Sequence, residues 1–193
     1  MTVYETAINR RTIRRFKQKP IPLEILRKLV NAGRLAPSSA NKQPIEYIII
    51  EDVCIVESVF GTLKWAGYIS PAGDPPQGER PVAYIVVLAN KEKNSGSCER
   101  DAAAAIENML LVALEEGIGS CWLGAIDTNK LTDILELPEH ILHHLFLWRF
   151  IAIPKCNYRV YFDMFRKFKN IGQLISINSP KPAASNPLLK SNE

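Results

Sequence analysis

The stretch RRTIRRF, from Arg10 to Phe16, places four arginines and a hydroxyl within seven residues, and Lys17 and Lys19 follow directly. Six of the ten residues from Arg10 to Lys19 are basic, although the whole chain carries a net charge of only +4. So local an imbalance points to a specific anion more than to a general attraction for a polymer or membrane. Three chemistries remain open. The cluster can be a solvated, charged helix end. It can belong to a nucleic-acid surface, but that needs aromatics interleaved with the basic residues, and Phe16 is the only one there. It can be a phosphate site, because a phosphate monoester is nearly a dianion and takes two or more cationic partners plus a hydroxyl donor. Arg10, Arg11, Thr12 and Arg14 supply that set. Neither G-x-G-x-x-G nor G-x-x-x-x-G-K-[ST] occurs, so side chains rather than a glycine cradle would do the holding.

Two further stretches have the composition of binding segments. PSSANKQP, Pro37 to Pro44, is a row of small donors and acceptors suited to a flat heteroaromatic edge with alternating N and C=O groups, or simply a helix-to-strand loop. GIGSCWLGAID, Gly117 to Asp127, reads as a buried strand with Trp122 in the core. Alternatively, Trp122 is a wall and Gly124 lets backbone N–H groups approach a planar ligand. Other candidates carry less. His140, His143 and His144 would share a helical face, but H-E-x-x-H is absent, and we expect no metal. Asp101 and Glu107 are expected to cap or pair rather than catalyse. The four cysteines, Cys54, Cys98, Cys121 and Cys156, are irregularly spaced with no C-x-x-C, as expected for a reducing cytoplasm. No run of 18 apolar residues occurs and the start lacks an apolar h-region, so neither a membrane span nor an export signal is expected.

The elements that must position these residues can be read from pattern. Thr2 and Glu5 form a capping box for a first helix that stops near Arg10. A second helix follows Pro22, with Leu26, Leu29 and Val30 as its apolar stripe. IEYIIIE and VAYIVVLAN are strands apolar enough for burial on both faces. Between them, the first half of GTLKWAGYISPAGDPPQGERP is expected to be helical and the rest loop. CERDAAAAIENMLLVALEEG is a long helix, apolar nearly all round from Ala102 to Leu114 and ended by Gly117. SCWLGAI and HLFLWRFIAI read as strands, NKLTDILEL as a helix, and NIGQLISI as a short helix or strand. The interspersed pattern indicates an α+β fold around a central sheet. One domain is expected over residues 1–178, with a polar, proline-rich tail, 179–193, expected to be disordered.

Taken in order, RRTIRRF, APSSANKQP and ENMLLVALEEGIGSCWLGAID resemble the motifs of the nitroreductase family of flavin enzymes, and the likeness runs from about Val3 to Ile175. The family pattern R-R-S-x-R-x-F is met here with Thr12 in place of Ser. The resemblance implies a nitroreductase-like three-layer sandwich, with a central mixed, mainly antiparallel sheet flanked by helices, in a domain-interlocked homodimer with two FMN sites at the interface. It implies that Arg10, Arg11, Thr12 and Arg14 hold the phosphate, ribityl chain and pyrimidine edge, and that Pro37, Ser38, Ser39 and Asn41 come from the other subunit. Trp122, Leu123 and Gly124 would lie along the isoalloxazine ring, with a backbone N–H near N5, and Lys169 or Lys167 would join the phosphate site. No side chain is implied as catalytic, since flavin N5 carries the chemistry between NADH or NADPH and a small electron-poor acceptor, a nitroaromatic or quinone. The alternatives are a specialised or non-catalytic flavin-binding member of the same family, or a basic nucleic-acid-binding protein. Trp148-Arg149-Phe150 stands where the family often has Gly-Tyr-Pro, a departure that bears on the substrate pocket.

Overall fold

The computed structural model describes residues 1–19, 21–65, 70–94, 96, 98–137, 151–153 and 173–175. Its described part is α+β. The first helix, α1 (Val3–Asn9), begins at the expected capping box: Thr2 Oγ1 accepts from the Glu5 N–H at 3.2 Å, and Glu5 Oε2 accepts from the Thr2 N–H at 2.8 Å. Its apolar side chains nevertheless face outward, with Val3 78% and Tyr4 73% exposed, and only Thr6 is buried. The second, α2 (Leu23–Arg34), buries Leu26, Leu29, Val30 and Gly33 and has Pro22 as its N-cap residue, one position earlier than a first-turn proline.

The sheet contains β1 (Ile45–Ile50), β2 (Ala83–Ala89), β3 (Ile151–Ile153) and β4 (Gln173–Ile175) in the order β3-β2-β1-β4. All its described pairings are antiparallel, and β1 and β2 align Ile45 with Ala89 through Ile50 with Tyr84. Alternate residues of the central pair enter two separate cores, as the two-residue period of a strand requires. Tyr47, Ile49, Ile85 and Val87 pack with α2 and α4 (Glu99–Glu115). Ile48, Ile50, Tyr84, Val86 and Leu88 pack with α3 (Val53–Phe60) and α5 (Thr128–Leu135), and with Phe16, Trp65, Cys121 and Leu123. This double covering explains why both strands are apolar apart from Glu46, whose buried carboxylate is held by Asn90 and Lys93, although they run antiparallel.

Several expectations change. The segment SCWLGAI does not join the sheet. Its ends form isolated bridges, Ser120 with Thr12 and Ile126 with Leu63, so its backbone pairs with loops on either side instead of a strand edge. Residues 61–65 of the stretch expected to be helical are not, residues 66–69 of it lie outside those described, and a helix not expected from the sequence runs just before it, over Val53–Phe60, with Gly61 as its C-cap. Asp52 starts it by accepting the N–H groups of Cys54 and Ile55. Its β-branched composition argues for strand, and burial of Val56 and Val59 in the core overrides that preference. Of HLFLWRFIAI only the last three residues, as β3, lie among those described, and NIGQLISI contributes β4 as a strand. The histidines at 140, 143 and 144, the Trp148-Arg149-Phe150 departure, Lys167, Lys169 and the tail all lie outside the described residues.

Helix α4 ends as expected. Gly117 has φ of 71°, its N–H bonds the Leu114 carbonyl at 2.9 Å, and the Ile118 N–H bonds the Ala113 carbonyl at 2.8 Å, the two bonds of a Schellman motif. The helix buries one face (Asp101, Ala102, Ala105, Ile106, Met109, Leu110, Ala113) and leaves Ala104, Leu111 and Val112 half-buried on the other. Ile106 is wholly buried between α4 and the sheet. Ile106→Ala should therefore lower unfolding stability by about 2–5 kcal/mol, and Gly117→Ala by about 1 kcal/mol through strain at positive φ, both measured by urea denaturation of the full chain.

Candidate active site

The arginine segment leaves the end of α1 and runs beside residues 119–121. The Ile13 N–H donates to the Ser120 carbonyl at 2.9 Å, and Thr12 and Ser120 form a parallel bridge. Gly119 makes this approach possible, since a Cβ there would lie 3.1 Å from the Ile13 side chain. One short pairing thus brings Arg10, Thr12 and Arg14 alongside the approach to Trp122, Leu123 and Gly124. On the far side, Phe16 is buried and its N–H bonds the Glu79 carbonyl at 3.0 Å. Its ring meets Trp65 edge-on at 6.3 Å, and Trp65 stacks on Phe60 at 5.5 Å. Arg14 Nε donates to the Trp65 carbonyl at 3.1 Å, which ties the basic segment to residues 60–65 as well.

The basic residues divide by what their side chains touch. Arg10 Nε lies 3.6 Å from Glu107 Oε1 on α4. Arg11 Nη1 folds back on the carbonyls of Ile8 and Arg10, each at 2.8 Å, and so caps α1. Arg15 pairs with Glu79 at 3.0 Å. Lys17 and Lys19 are exposed, with no ion pair recorded among the described residues. Arg10 thus reaches toward α4 and Arg14 toward residues 60–65, while the backbone of Thr12 and Ile13 pairs with Ser120 and Arg11 caps α1 beside them.

Next to that segment lies an open cleft of about 540 Å³ lined by Gly61, Thr62, Leu63, Lys64, Gly124, Ala125, Ile126, Asp127 and Lys130. Its two walls are stitched by the Leu63–Ile126 bridge, by the Lys64 N–H on the Ala125 carbonyl at 2.9 Å, and by the Asp127 N–H on the Thr62 carbonyl at 2.8 Å. Leu123 is committed to the core with 4% exposure, so only its backbone can serve a ligand, whereas Trp122 is half-buried against the α2–α4 side. A Cβ built on Gly124 would meet nothing within 4 Å. Nothing among the described residues requires glycine there, and the space it leaves belongs to the cleft, which suits close approach of a flat ring to the backbone. Asp127, at the cleft edge, caps α5 by accepting the Lys130 N–H at 3.2 Å, and that bond holds its carboxyl below the usual range.

Cys121 sits behind this segment with 1% exposure, and burial pushes its thiol up to about 11 despite the nearby Arg14. It is a neutral thiol at physiological pH, unsuited to act as nucleophile or metal ligand. Among the described residues no group of three or more His, Cys, Asp or Glu side chains is placed to hold a metal, and no helix is long and apolar enough to cross a membrane.

The Pro37–Asn41 loop is fixed elsewhere. The Ser39 N–H and hydroxyl both bond Asp101 Oδ1 at 3.0 Å. Asp101 and Glu107, six residues apart on α4, are separated by about 9 Å of rise and about 120° of rotation. The loop held by one and the arginine held by the other leave the helix in different directions. Both acids do pair, as expected, but their partners were not legible. Neither belongs to a local motif, and the contacts span 62 residues for Ser39–Asp101.

The profile of the nitroreductase family matches residues 7–64 and 78–147. A protein of Archaeoglobus fulgidus provisionally named NADH dehydrogenase/NAD(P)H nitroreductase is 31% identical over 140 residues, covering 69% of this chain and 75% of its own. A crystal structure of a similarly named protein from Parabacteroides distasonis superposes with a TM-score of 0.66 at 26% identity, over 84% of this chain and 98% of that one. A provisionally named nitroreductase from Desulfovibrio desulfuricans, solved in complex with FMN, superposes with a TM-score of 0.59 at 26% identity, over 82% of this chain and 92% of that one. With the arginine segment, the serine loop and the 117–127 segment in the family's order on an α+β fold, this chain belongs to the nitroreductase family and is an oxidoreductase.

Proposed function

We propose that this protein binds FMN in a site built by two copies of the chain and carries reducing equivalents from NADH or NADPH to a flat, electron-poor small molecule such as a quinone or nitroaromatic, in the cytoplasm. The observation that carries the reading is the Thr12–Ser120 bridge, which sets a cationic segment against a backbone segment opening onto the cleft. The FMN in the Desulfovibrio relative and the NAD(P)H in the name of the Archaeoglobus relative support it.

When bound, FMN supplies two-electron chemistry at its N5. The chain does the rest. Arg10 and Arg14, with the Thr12 hydroxyl, hold the phosphate and the pyrimidine side, where cationic groups favour the anionic reduced form. Lys169 or Lys167 joins them. The backbone around Leu123 and Gly124 would support the ring and offer it an N–H, and the half-buried Trp122 would close the site on the α2–α4 side. Pro37, Ser38, Ser39 and Asn41 would reach the site of the second subunit. No acid–base side chain is required.

A homodimer also suits the surface. The outward apolar residues of α1 continue into a groove of about 320 Å³ lined by Met1, Val3, Leu35, Leu111 and Val112, a mainly aliphatic surface of the kind that a second copy covers. Light scattering at micromolar concentration should give a dimer, and a monodisperse monomer contradicts this. Arg10→Ala or Arg14→Ala should weaken FMN binding by about 1.5–3 kcal/mol each, with Lys19→Ala unchanged, in a fluorescence titration of the apoprotein. Equal affinities in all three variants return the cluster to a solvated edge. If the two substrates take turns over one exposed ring face, velocities measured against NADH or NADPH at several fixed quinone concentrations should give parallel double-reciprocal lines. Intersecting lines indicate a ternary complex and separate subsites.

A further inference from the structure

The cleft beside Gly124 holds one side-chain charge that its surroundings do not use. Of the lining residues, Gly61, Leu63, Gly124, Ala125 and Ile126 bring no polar side chain. Thr62 is buried, and its hydroxyl donates inward to the Val59 carbonyl at 2.8 Å. Asp127 and Lys130 spend their charges on each other: Asp127 Oδ1 accepts the Lys130 N–H at 3.2 Å, and Oδ2 lies 3.3 Å from Lys130 Nζ. Lys64 remains, exposed and with no ion pair among the described residues. Its backbone, by contrast, is fixed on both sides. The Lys64 N–H bonds the Ala125 carbonyl at 2.9 Å, and Leu63 before it bridges Ile126. Trp65 after it is 4% exposed, with its carbonyl accepting from Arg14 Nε at 3.1 Å. A flexible cation on a fixed stem therefore stands on the wall facing Gly124 and Ala125.

We propose that Lys64 is a specificity-determining residue that selects acceptors carrying an anionic substituent, a carboxylate or sulfonate, on the electron-poor ring. The inference rests on the FMN reading above, with the flavin along residues 123–124. An acceptor over that ring has its rim within a side chain's reach of the Lys64 wall, because Ala125, the neighbour of Gly124, is hydrogen-bonded to Lys64 itself. An ammonium is a compact point charge with three donors and no acceptor, so it rewards an oxyanion and offers nothing to a neutral hydrocarbon rim. The paired Asp127 and Lys130 add little net field, and the lining keeps no uncompensated acid to repel the anion. The extra phosphate of NADPH is a poorer match. It sits on the adenosine ribose, a diphosphate and a second ribose away from the nicotinamide that must meet the flavin.

The test uses the full-length, FMN-loaded protein and matched probes, para-nitrobenzoate against nitrobenzene and naphthoquinone sulfonate against menadione. Dissociation constants come from the perturbation of flavin absorbance, and kcat/KM from steady-state rates with NADH and with NADPH. Because the members of a pair differ in reduction potential, the quantity read is the anionic-to-neutral ratio in each variant relative to wild type. Lys64→Ala should lower that ratio about three- to tenfold, between the effect of an exposed ion pair and that of a charge-assisted hydrogen bond, and through KM rather than kcat. Lys64→Glu should lower it further, Lys64→Arg should keep it, and added salt should erode it in wild type. A purely structural role of Lys64 weakens both members of each pair alike and leaves the ratio unchanged. That result overturns the inference and leaves the functional reading standing. A loss confined to NADPH against NADH assigns the cation to the reductant's phosphate and likewise overturns it. A wild type that binds no FMN overturns both.

Discussion

One backbone hydrogen bond, from the Ile13 N–H to the Ser120 carbonyl, joins the two halves of the candidate site. Residues 10–14 and 119–124 belong to no regular element, and each alone would be a mobile connection. Paired, they inherit rigidity from what lies at either end. Phe16 is anchored in the aromatic cluster with Trp65, and Leu123 in the core beneath α5. Gly119 sets how close the two backbones come, because any side chain there would push against Ile13. The site is thus a consequence of packing on both sides of a short extended pair rather than of the sheet itself.

The sheet contributes by being covered on both faces. Its central strands offer no open face for a ligand, so polar chemistry is displaced to the loops at its periphery. Helix α4 organises that periphery. Its buried face packs on the sheet, while Asp101 and Glu107 reach out to the serine loop and the arginine segment. A helix wedged against two strands and α2 is a stiff reference from which loops can be positioned, which is the usual way a rigid scaffold serves residues on irregular backbone.

Local chemistry was legible in the sequence wherever a few adjacent residues decide the outcome. The Thr2–Glu5 capping box, the Leu26–Leu29–Val30 stripe, the two apolar strands and the Gly117 helix end all follow from short-range rules. The failures have one cause in common, which is that distant packing decided against a local preference. The valines of α3 favour strand until Val56 and Val59 find the core. The 120–126 run looks like a strand and is extended, but its hydrogen bonds go to residues 12–13 and 62–64, which no local pattern announces. The basic cluster was visible as a cluster, but the partners that divide it, Glu107 for Arg10, the Trp65 carbonyl for Arg14 and Glu79 for Arg15, lie far along the chain.

The burial of Cys121 has a consequence for the chemical durability of an oxidoreductase. Oxidants attack thiolates far faster than thiols, so a cysteine beside electron-transfer chemistry is a point of wear if it ionises. Here the sulfur is screened from solvent and its pKa raised to about 11, even with a guanidinium nearby that acts in the opposite direction. The chain can therefore keep a small, polarisable side chain behind the candidate site without exposing a sulfur to oxidation.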